Sequence, residues 1–517
     1  MKRYRHNLSN TRLTSFDMGL IIPTATRHVI AGTSVIGGVA AGLQLAPMVH
    51  QALTQIKVDT VAVACADRLI WDDAEDFYTG GKTGDIRPEV PYVLAPEGGW
   101  KVGSLMDHLG FPTGVSNLKC DARPLRTLIK WYNENCLDLT IQEPLPLSTA
   151  SGLDTTTYTG DLRVNWPKDR FTTARVEKQL GSEVVIPIAG TAPVVGNGTT
   201  IQLTSTVEGL GNALGKNANG CLQVAAFTSG PASGPAPVGT GITGLSANNG
   251  GKSFGLVKDP TRSGMEAQLS SSTGVLPGDF NMAMGRARWK MRRNLFGTDY
   301  RDLLSFWGVR YSDKRLNYAQ TLKRGHQTVD ISAVLQTAPG TNSAVGQVAG
   351  RGTGFAACRY KQYFEEWSTV IHFVVVRPAP VYVNMYPEQW DIEVREDDYT
   401  PELARVDLVP IKNKILFPTG NETEDSKTWG FANAYDFKRV AYNDVSGSMK
   451  TTNVSYHQGR IFETAPQLNS DFLQCNPSGR IFAITDEKIM DQIEAAAIKN
   501  TFIEKSFVVP NGDPKFV

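Results

Sequence analysis

What this chain lacks narrows its function early. An excess of either charge is missing: 52 Lys and Arg stand against 51 Asp and Glu, a net charge of +1. The body of the protein is therefore not a basic coat for nucleic acid. Cysteine is scarce and scattered. Cys65, Cys120, Cys136, Cys221, Cys358 and Cys475 show no close pairing, a pattern that fits a reducing compartment and argues against a disulfide framework or a zinc site. The histidines (His6, His28, His50, His108, His326, His372 and His457) form no HxH or HxxxH pair for a metal. Long apolar runs are absent too. Ile30–Leu45 is rich in Gly and Ala and is too short and too glycine-broken to span a bilayer. The basic start, MKRYRHNLSNTRLTSF, is not followed by an apolar region, so we expect no signal peptide and folding in a cytoplasm. In such a chain the glycosylation-type matches at Asn197, Asn421 and Asn453 are chance.

Catalytic signatures are missing as well. No serine sits in a GxSxG elbow. The nearest approach to a phosphate loop is GNALGKN, Gly211–Asn217. It has three residues between its glycines instead of four, and Asn217 stands where a hydroxyl would hold magnesium. Asp72, Asp73, Glu75 and Asp76 cluster after Trp71 without the mid-loop glycine of a calcium site. They read as an acidic turn that pairs with Arg or Lys of a neighbour. We expect no catalytic residue, no metal ligand and no cofactor.

What is present is a β-rich pattern with many interruptions. Residues 1–15 form a basic arm in which Lys2, Arg3, Arg5 and Arg12 precede the first acid, Asp17. The arm has no apolar periodicity, so it is expected to stay disordered until it meets a polyanion. These four residues are the candidate nucleic-acid contacts. Residues 16–188 hold strands and one helix. VDTVAVACADRLIW places Val61, Val63 and Cys65 at period two. Leu125, Leu128, Ile129 and Tyr132 fall on one face of a helix over Arg123–Cys136. Composition then shifts across residues 189–278. From Gly190 to Gly250 the only charges are Glu208 and Lys216. This is a surface insertion of turns and short strands, IQLTSTV and LQVAAF among them, unable to build a core alone.

Residues 279–517 resume the pattern. NMAMGRARWKMRRNL is helical, with Met284, Ala287, Met291 and Leu295 on one stripe and Arg286, Arg288, Lys290, Arg292 and Arg293 elsewhere. TVIHFVVVRPAPVYV is a long extended run, and LARVDLVPIKNKILF and RIFAI supply further strands. Asp486 and Glu487, followed by Ile489, Ile493 and Ala497 at i+4 spacing, predict a helix over Thr485–Lys499. Many short strands with 49 Gly and 28 Pro indicate an all-β sandwich with elaborate insertions. Scattered Trp and Tyr leave a second reading open, a secreted β-sandwich that binds or hydrolyses glycans. The missing leader and unpaired cysteines count against it.

A series of segments carries a resemblance. It runs from FDMGLIIPTATRHVIAGT and VDTVAVACADRLIWDDAEDFYTGG through LMDHLGFP, LRTLIKWYNENCLD, KDRFTTAR and VVIPI. It continues with FNMAMGRAR, YRDLLSFWGVRYSDKRLNYAQ, VGQVAGRG, VRPAPVYVNMYPEQW and PQLNSDFLQCNP. In this order they resemble the major capsid protein of the microviruses, small single-stranded-DNA bacteriophages, and the gokushovirus-type members most of all. The ends and the insertion match loosely. The resemblance implies an eight-stranded antiparallel jelly roll with long loop insertions and a few helices. It implies pentamers and a sixty-subunit icosahedral shell in the virion around circular single-stranded DNA, with insertions at the three-fold axes. Implied partners are a small basic DNA-binding protein, a pilot or minor capsid protein and a host surface receptor.

Overall fold

Alternating apolar residues need a sheet to bury them, and here two sheets face each other. The computed structural model describes residues 2–182, 184 and 277–509, apart from 298, 310–312, 314–315, 336, 338–345, 347, 406–407 and 487–489; from 185 to 276 it describes six three-residue strands. Two compact units result: Met1–Ser182 with Ala287–Val517, and Glu183–Arg286.

The first unit holds the sandwich. Its strands are β1 (Tyr4–Asn7), β2 (Asn10–Phe16), β3 (Ile21–Val29), β4 (Thr33–Leu45), β5 (Ile56–Ala66), β6 (Gln320–Thr328), β7 (Asp330–Leu335), β8 (Val348–Phe364), β9 (Ser368–Pro378) and β10 (Ile493–Ser506). One sheet has six strands in the order β1-β10-β4-β8-β7, with β2 also on β10; the other has four, in the order β6-β5-β9-β3. All these pairings are antiparallel. The sandwich expected from the sequence is therefore the architecture observed.

Between the sheets, Val39, Leu43 and Leu45 of β4 meet Ile56 and Val58 of β5, Val374 and Val376 of β9, and Ile498 of β10. A second cluster joins Val29, Val35, Ala62, Ala64, Tyr360, Val370 and Phe502. The opposite face of the four-stranded sheet is covered too. Val61, Val63, Ile371, Phe373 and Val375 pack with Leu125, Leu128, Ile129, Trp131 and Tyr132 of helix α1 (Arg123–Asn135). This explains why β5 and β9 read as nearly continuous apolar runs, since both of their faces are buried. The helix forms where the four-residue spacing placed it, and its predicted face is the buried one. A satellite core of Phe171, Tyr382, Ile411, Ile415, Trp429 and Phe472 anchors the long excursions from the sandwich.

Four local expectations need correction. Thr485–Lys499 is not a helix: Ile493–Ser506 is β10, paired with β4 on one side and with β1 and β2 on the other. The run IEAAAIKN has good local helix propensity, but Ala496, Ile498, Asn500 and Phe502 also alternate at period two and are buried. Sheet pairing on both edges outweighs a few tenths of a kcal/mol of intrinsic preference. RIFAI is not a strand. Gly479–Ile481 is a 3-10 turn, and Phe482 makes a single bridge to Met48; Ile481 and Phe482 plug one of the sandwich clusters instead. Third, residues 1–15 are not a disordered arm, because β1 and most of β2 lie there. A sheet edge offers unpaired N–H and C=O groups, and the arm satisfies them without needing an apolar face. Fourth, among the described residues of the 403–417 stretch only Leu408–Lys412 is a strand; Asn413–Leu416 is a short helix.

In the second unit three antiparallel pairs are nested in sequence. Val194–Gly196 pairs with Met265–Ala267, Leu203–Ser205 with Leu256–Lys258, and Leu214–Lys216 with Leu222–Val224. Two of these strands lie within IQLTSTV and LQVAAF, which read as extended from the sequence.

Candidate nucleic-acid interface and assembly surfaces

The four basic residues proposed from the sequence share one sheet edge but not one environment. Lys2 and Arg5 are exposed. Arg3 is half-buried, with its guanidinium over the rings of Phe507 at 4.8 Å and Tyr363 at 5.4 Å. Arg12 is turned inward. It donates to the carbonyls of Asp107 (3.0 Å), His108 and Pro23, and burial lowers its pKa. The arm thus exposes Lys2 and Arg5, while Arg12 stitches β2 to the short helix Leu105–Leu109.

A second basic surface lies on helix α2 (Pro277–Phe296) and the short helix α3 (Tyr300–Phe306). Met291 and Asn294 face inward, and Asn294 donates to the Glu177 carbonyl at 2.7 Å. Lys290 reaches the Ser182 carbonyl at 2.6 Å, and Arg293 that of Gly297. Arg288, Trp289, Arg292 and Phe296 are exposed, and 288, 292 and 296 lie one turn apart on a single face. Arg292 sits 5.1 Å over the Phe306 ring. Beside them Tyr300 and Trp307 are exposed, Trp307 by 69%. The arginines were legible in the sequence; the aromatic face between them was not singled out.

An acidic counterpart, missed from the sequence, spans Tyr386–Leu403. Trp390, Ile392 and Val394 alternate with Asp391 and Glu393, a period-two pattern that could have flagged it. The segment is not a strand, and Trp390 is 71% exposed. Lys412 pairs with Asp391 and Glu393, each at 3.2 Å, and Lys438 with Asp398 at 3.1 Å. Glu396 and Glu402 are exposed and show no ion pair among the described residues. Next to them opens a cavity of about 370 Å³, lined by Leu403, Val409, Ile415 and Phe437 and by the acids Glu396 and Asp397. Burial pushes the Glu388 carboxyl, also on this cavity, above its ordinary range against the pull of Arg170.

Buried polar groups hold the excursions on the sandwich. Asp67, at the end of β5, accepts from Tyr78 (2.7 Å) and Thr369 (3.1 Å) and contacts His28 at 2.9 Å. Burial alone would raise its pKa, but the His28 and Tyr78 hydrogen bonds and the nearby Arg123 hold it low. Arg126 of α1 donates to Asp154 at 2.8 Å and to the carbonyls of Ile70 and Ala150, with both side chains fully buried. Inside the sandwich, His372 stacks on Phe502 with ring centroids 4.2 Å apart. Its Nε2 lies 2.9 Å from the Tyr360 hydroxyl and its Nδ1 3.3 Å from Asn500 Oδ1. A Cβ on Gly37 would strike the Tyr360 ring, so that glycine makes room for the network. Burial pushes the His372 pKa down to about 3. Among the described residues, no three His, Cys, Asp or Glu converge as a metal site.

These features are structural and surface-forming. Comparison with known proteins agrees. A family model described as capsid protein (F protein) matches residues 1–509. The chain is 24% identical to capsid protein VP1 of Spiroplasma virus 4, across 97% of this chain and 93% of that protein. It is 25% identical to capsid protein VP1 of Bdellovibrio phage phiMH2K, across 95% and 91% of the two chains. Capsid protein VP1 of Chlamydia phage 1 is also 25% identical, across 94% and 92%.

Proposed function

Because this chain belongs to the capsid protein (F protein) family of the microviruses, gokushovirus-type, and is a structural protein of the virion, we propose that sixty copies, grouped as pentamers, close an icosahedral shell around a circular single-stranded DNA genome. One observation carries the reading. A β-sandwich buried on both faces of one sheet supports long excursions that leave Trp289, Trp307, Trp390 and Tyr399 in solvent. Large aromatic side chains of this kind suit interfaces between subunits rather than a free monomer. The role is structural rather than catalytic.

In this reading Lys2, Arg3, Arg5 and Arg12 lie on the genome side. Lys2 and Arg5 touch phosphate, and Arg12 secures the strand that presents them. A net charge of +1 cannot neutralise packaged DNA, so a small basic protein supplies the remaining cations, and a pilot or minor capsid protein completes the particle. The insertion at 189–278 forms the three-fold protrusion and meets a host surface receptor. Its nested strand pairs and the scarcity of charge between Gly190 and Gly250 support this, since three copies packed at an axis would bury its Val, Leu and Ile.

Electron microscopy and sedimentation of the expressed chain test the proposal. Closed particles or stable pentamers are expected, and a strictly monomeric protein at assembly concentrations would refute it. A chain with residues 200–270 replaced by a Gly-Ser bridge should keep the sandwich folded, because loop closure costs change slowly with length. It should form pentamers yet fail to close shells.

A further inference from the structure

Two exposed surfaces of the first unit complement each other in charge and in apolar character, and among the described residues Arg288 on one and Glu396 and Glu402 on the other have no ion pair. On α2 and α3, Arg288 and Arg292 flank Trp289, Phe296 and Trp307. On Tyr386–Leu403, Glu396 and Glu402 flank Trp390 and an open cavity whose lining mixes apolar side chains with acids. Among the described residues no ion pair or ring contact joins the two surfaces. We propose that they meet between copies: the basic aromatic face of one subunit docks on the acidic cavity of the next, with Trp307 as the anchor that enters it. This deepens the shell reading and rests on it.

The physical case has three parts. Every copy carries both halves, so the contact is head-to-tail, and repeated around an axis it closes a ring, as a shell requires. A Trp flanked by Arg, entering a cavity lined by both apolar and acidic side chains, combines the buried aromatic anchor that dominates interface energetics with charges that set approach and register. The cavity also lies in the ordinary size range for a pocket that accepts a side-chain-sized group. Single-stranded DNA could also stack on aromatics beside arginines. The matching acidic surface on the same chain favours a second copy, because DNA would leave Glu396 and Glu402 without a role.

Charge reversal tests the contact. One variant carries Arg288→Glu and Arg292→Glu, a second carries Glu396→Lys and Glu402→Lys, and a third combines all four. Particle yield from cells producing the virus is read on sedimentation gradients, beside thermal unfolding of the soluble chain. Each pair alone should cut yield by at least about tenfold with unchanged unfolding, since 1.4 kcal/mol at a contact is already that factor. The four-fold variant should recover most of it, and Trp307→Ala should reproduce the loss without changing charge. Wild-type yield from either pair, or no recovery in the combination, overturns the contact while the shell reading stands. Normal particles that have lost their DNA upon Arg288 and Arg292 reversal overturn it in favour of a genome-facing surface. A wild-type chain that forms no particle refutes the shell reading itself.

Discussion

His372 gives the sandwich a pH dependence that can be worked from its surroundings. Asn500 donates from Nδ2 to the Thr24 carbonyl at 3.1 Å, which leaves its Oδ1 as an acceptor. That oxygen takes the His372 Nδ1–H, so Nε2 is unprotonated and accepts the Tyr360 O–H. A second proton would place a charge between Phe502 and the sheets with no carboxylate bonded to the ring. The pKa accordingly falls from the ordinary 6.5 to about 3. The unfolded chain therefore binds the proton first as pH drops. Stability from this group is complete above pH 6.5 and is lost progressively toward pH 3. At pH 4 the loss is about 3 kcal/mol, at 1.36 kcal/mol per unit of separation. Replacing His372 with Gln keeps a donor and an acceptor but removes the titration and the ring stack. The variant should be less stable than wild type by about 1 kcal/mol at pH 7.5, the worth of a stacked pair, and more stable by about 2 kcal/mol at pH 4. Urea unfolding of the unassembled chain at both pH values reads the difference directly. The other ionisable groups are common to both proteins and cancel. An identical stability gap at the two pH values would refute the reasoning.

Other consequences follow from named interactions. Leu128→Asp places a charge among Leu125, Ile129 and the outer face of the four-stranded sheet and should cost several kcal/mol in denaturant unfolding; wild-type stability would show that this helix face is not buried. Asp154→Asn leaves Arg126 charged and fully buried, so a loss of about 3–5 kcal/mol is expected at neutral pH, and a loss below about 1 kcal/mol, the ceiling typical of exposed pairs, would mean the pair is solvated. Replacing Lys2 and Arg5 with Gln should flatten the salt dependence of single-stranded DNA binding by about 0.7 for each phosphate no longer neutralised, with stability unchanged; an unchanged slope removes the arm from the genome interface. These substitutions test the arm more cleanly than truncation, because deleting residues 1–12 would also strip β1 and part of β2 from β10.

Much of this protein was legible before any fold was known. Absent motifs and balanced charge argued against a catalytic or polycationic role. Period two in VDTVAVAC and the four-residue spacing in LRTLIKWY located β5 and α1, because each pattern is set by the geometry of one element and the face it buries. The ordered series of segments carried the family. Other features depended on partners far along the chain. IEAAAIKN is compatible with helix or strand, and only β4 and β2 on its flanks decide for the strand. The arm has no periodic face to betray it, yet the open edge of β10, at the far end of the chain, draws it into a sheet and turns Arg12 from a free cation into a backbone clamp. His372 looked like one scattered histidine until the sandwich set Tyr360, Asn500 and Phe502 around its ring. The reason is the same in each case. Local sequence encodes the period and the preference of an element, whereas the choice between near-equal local states, and the chemistry of a buried side chain, is made by neighbours that only tertiary folding brings together.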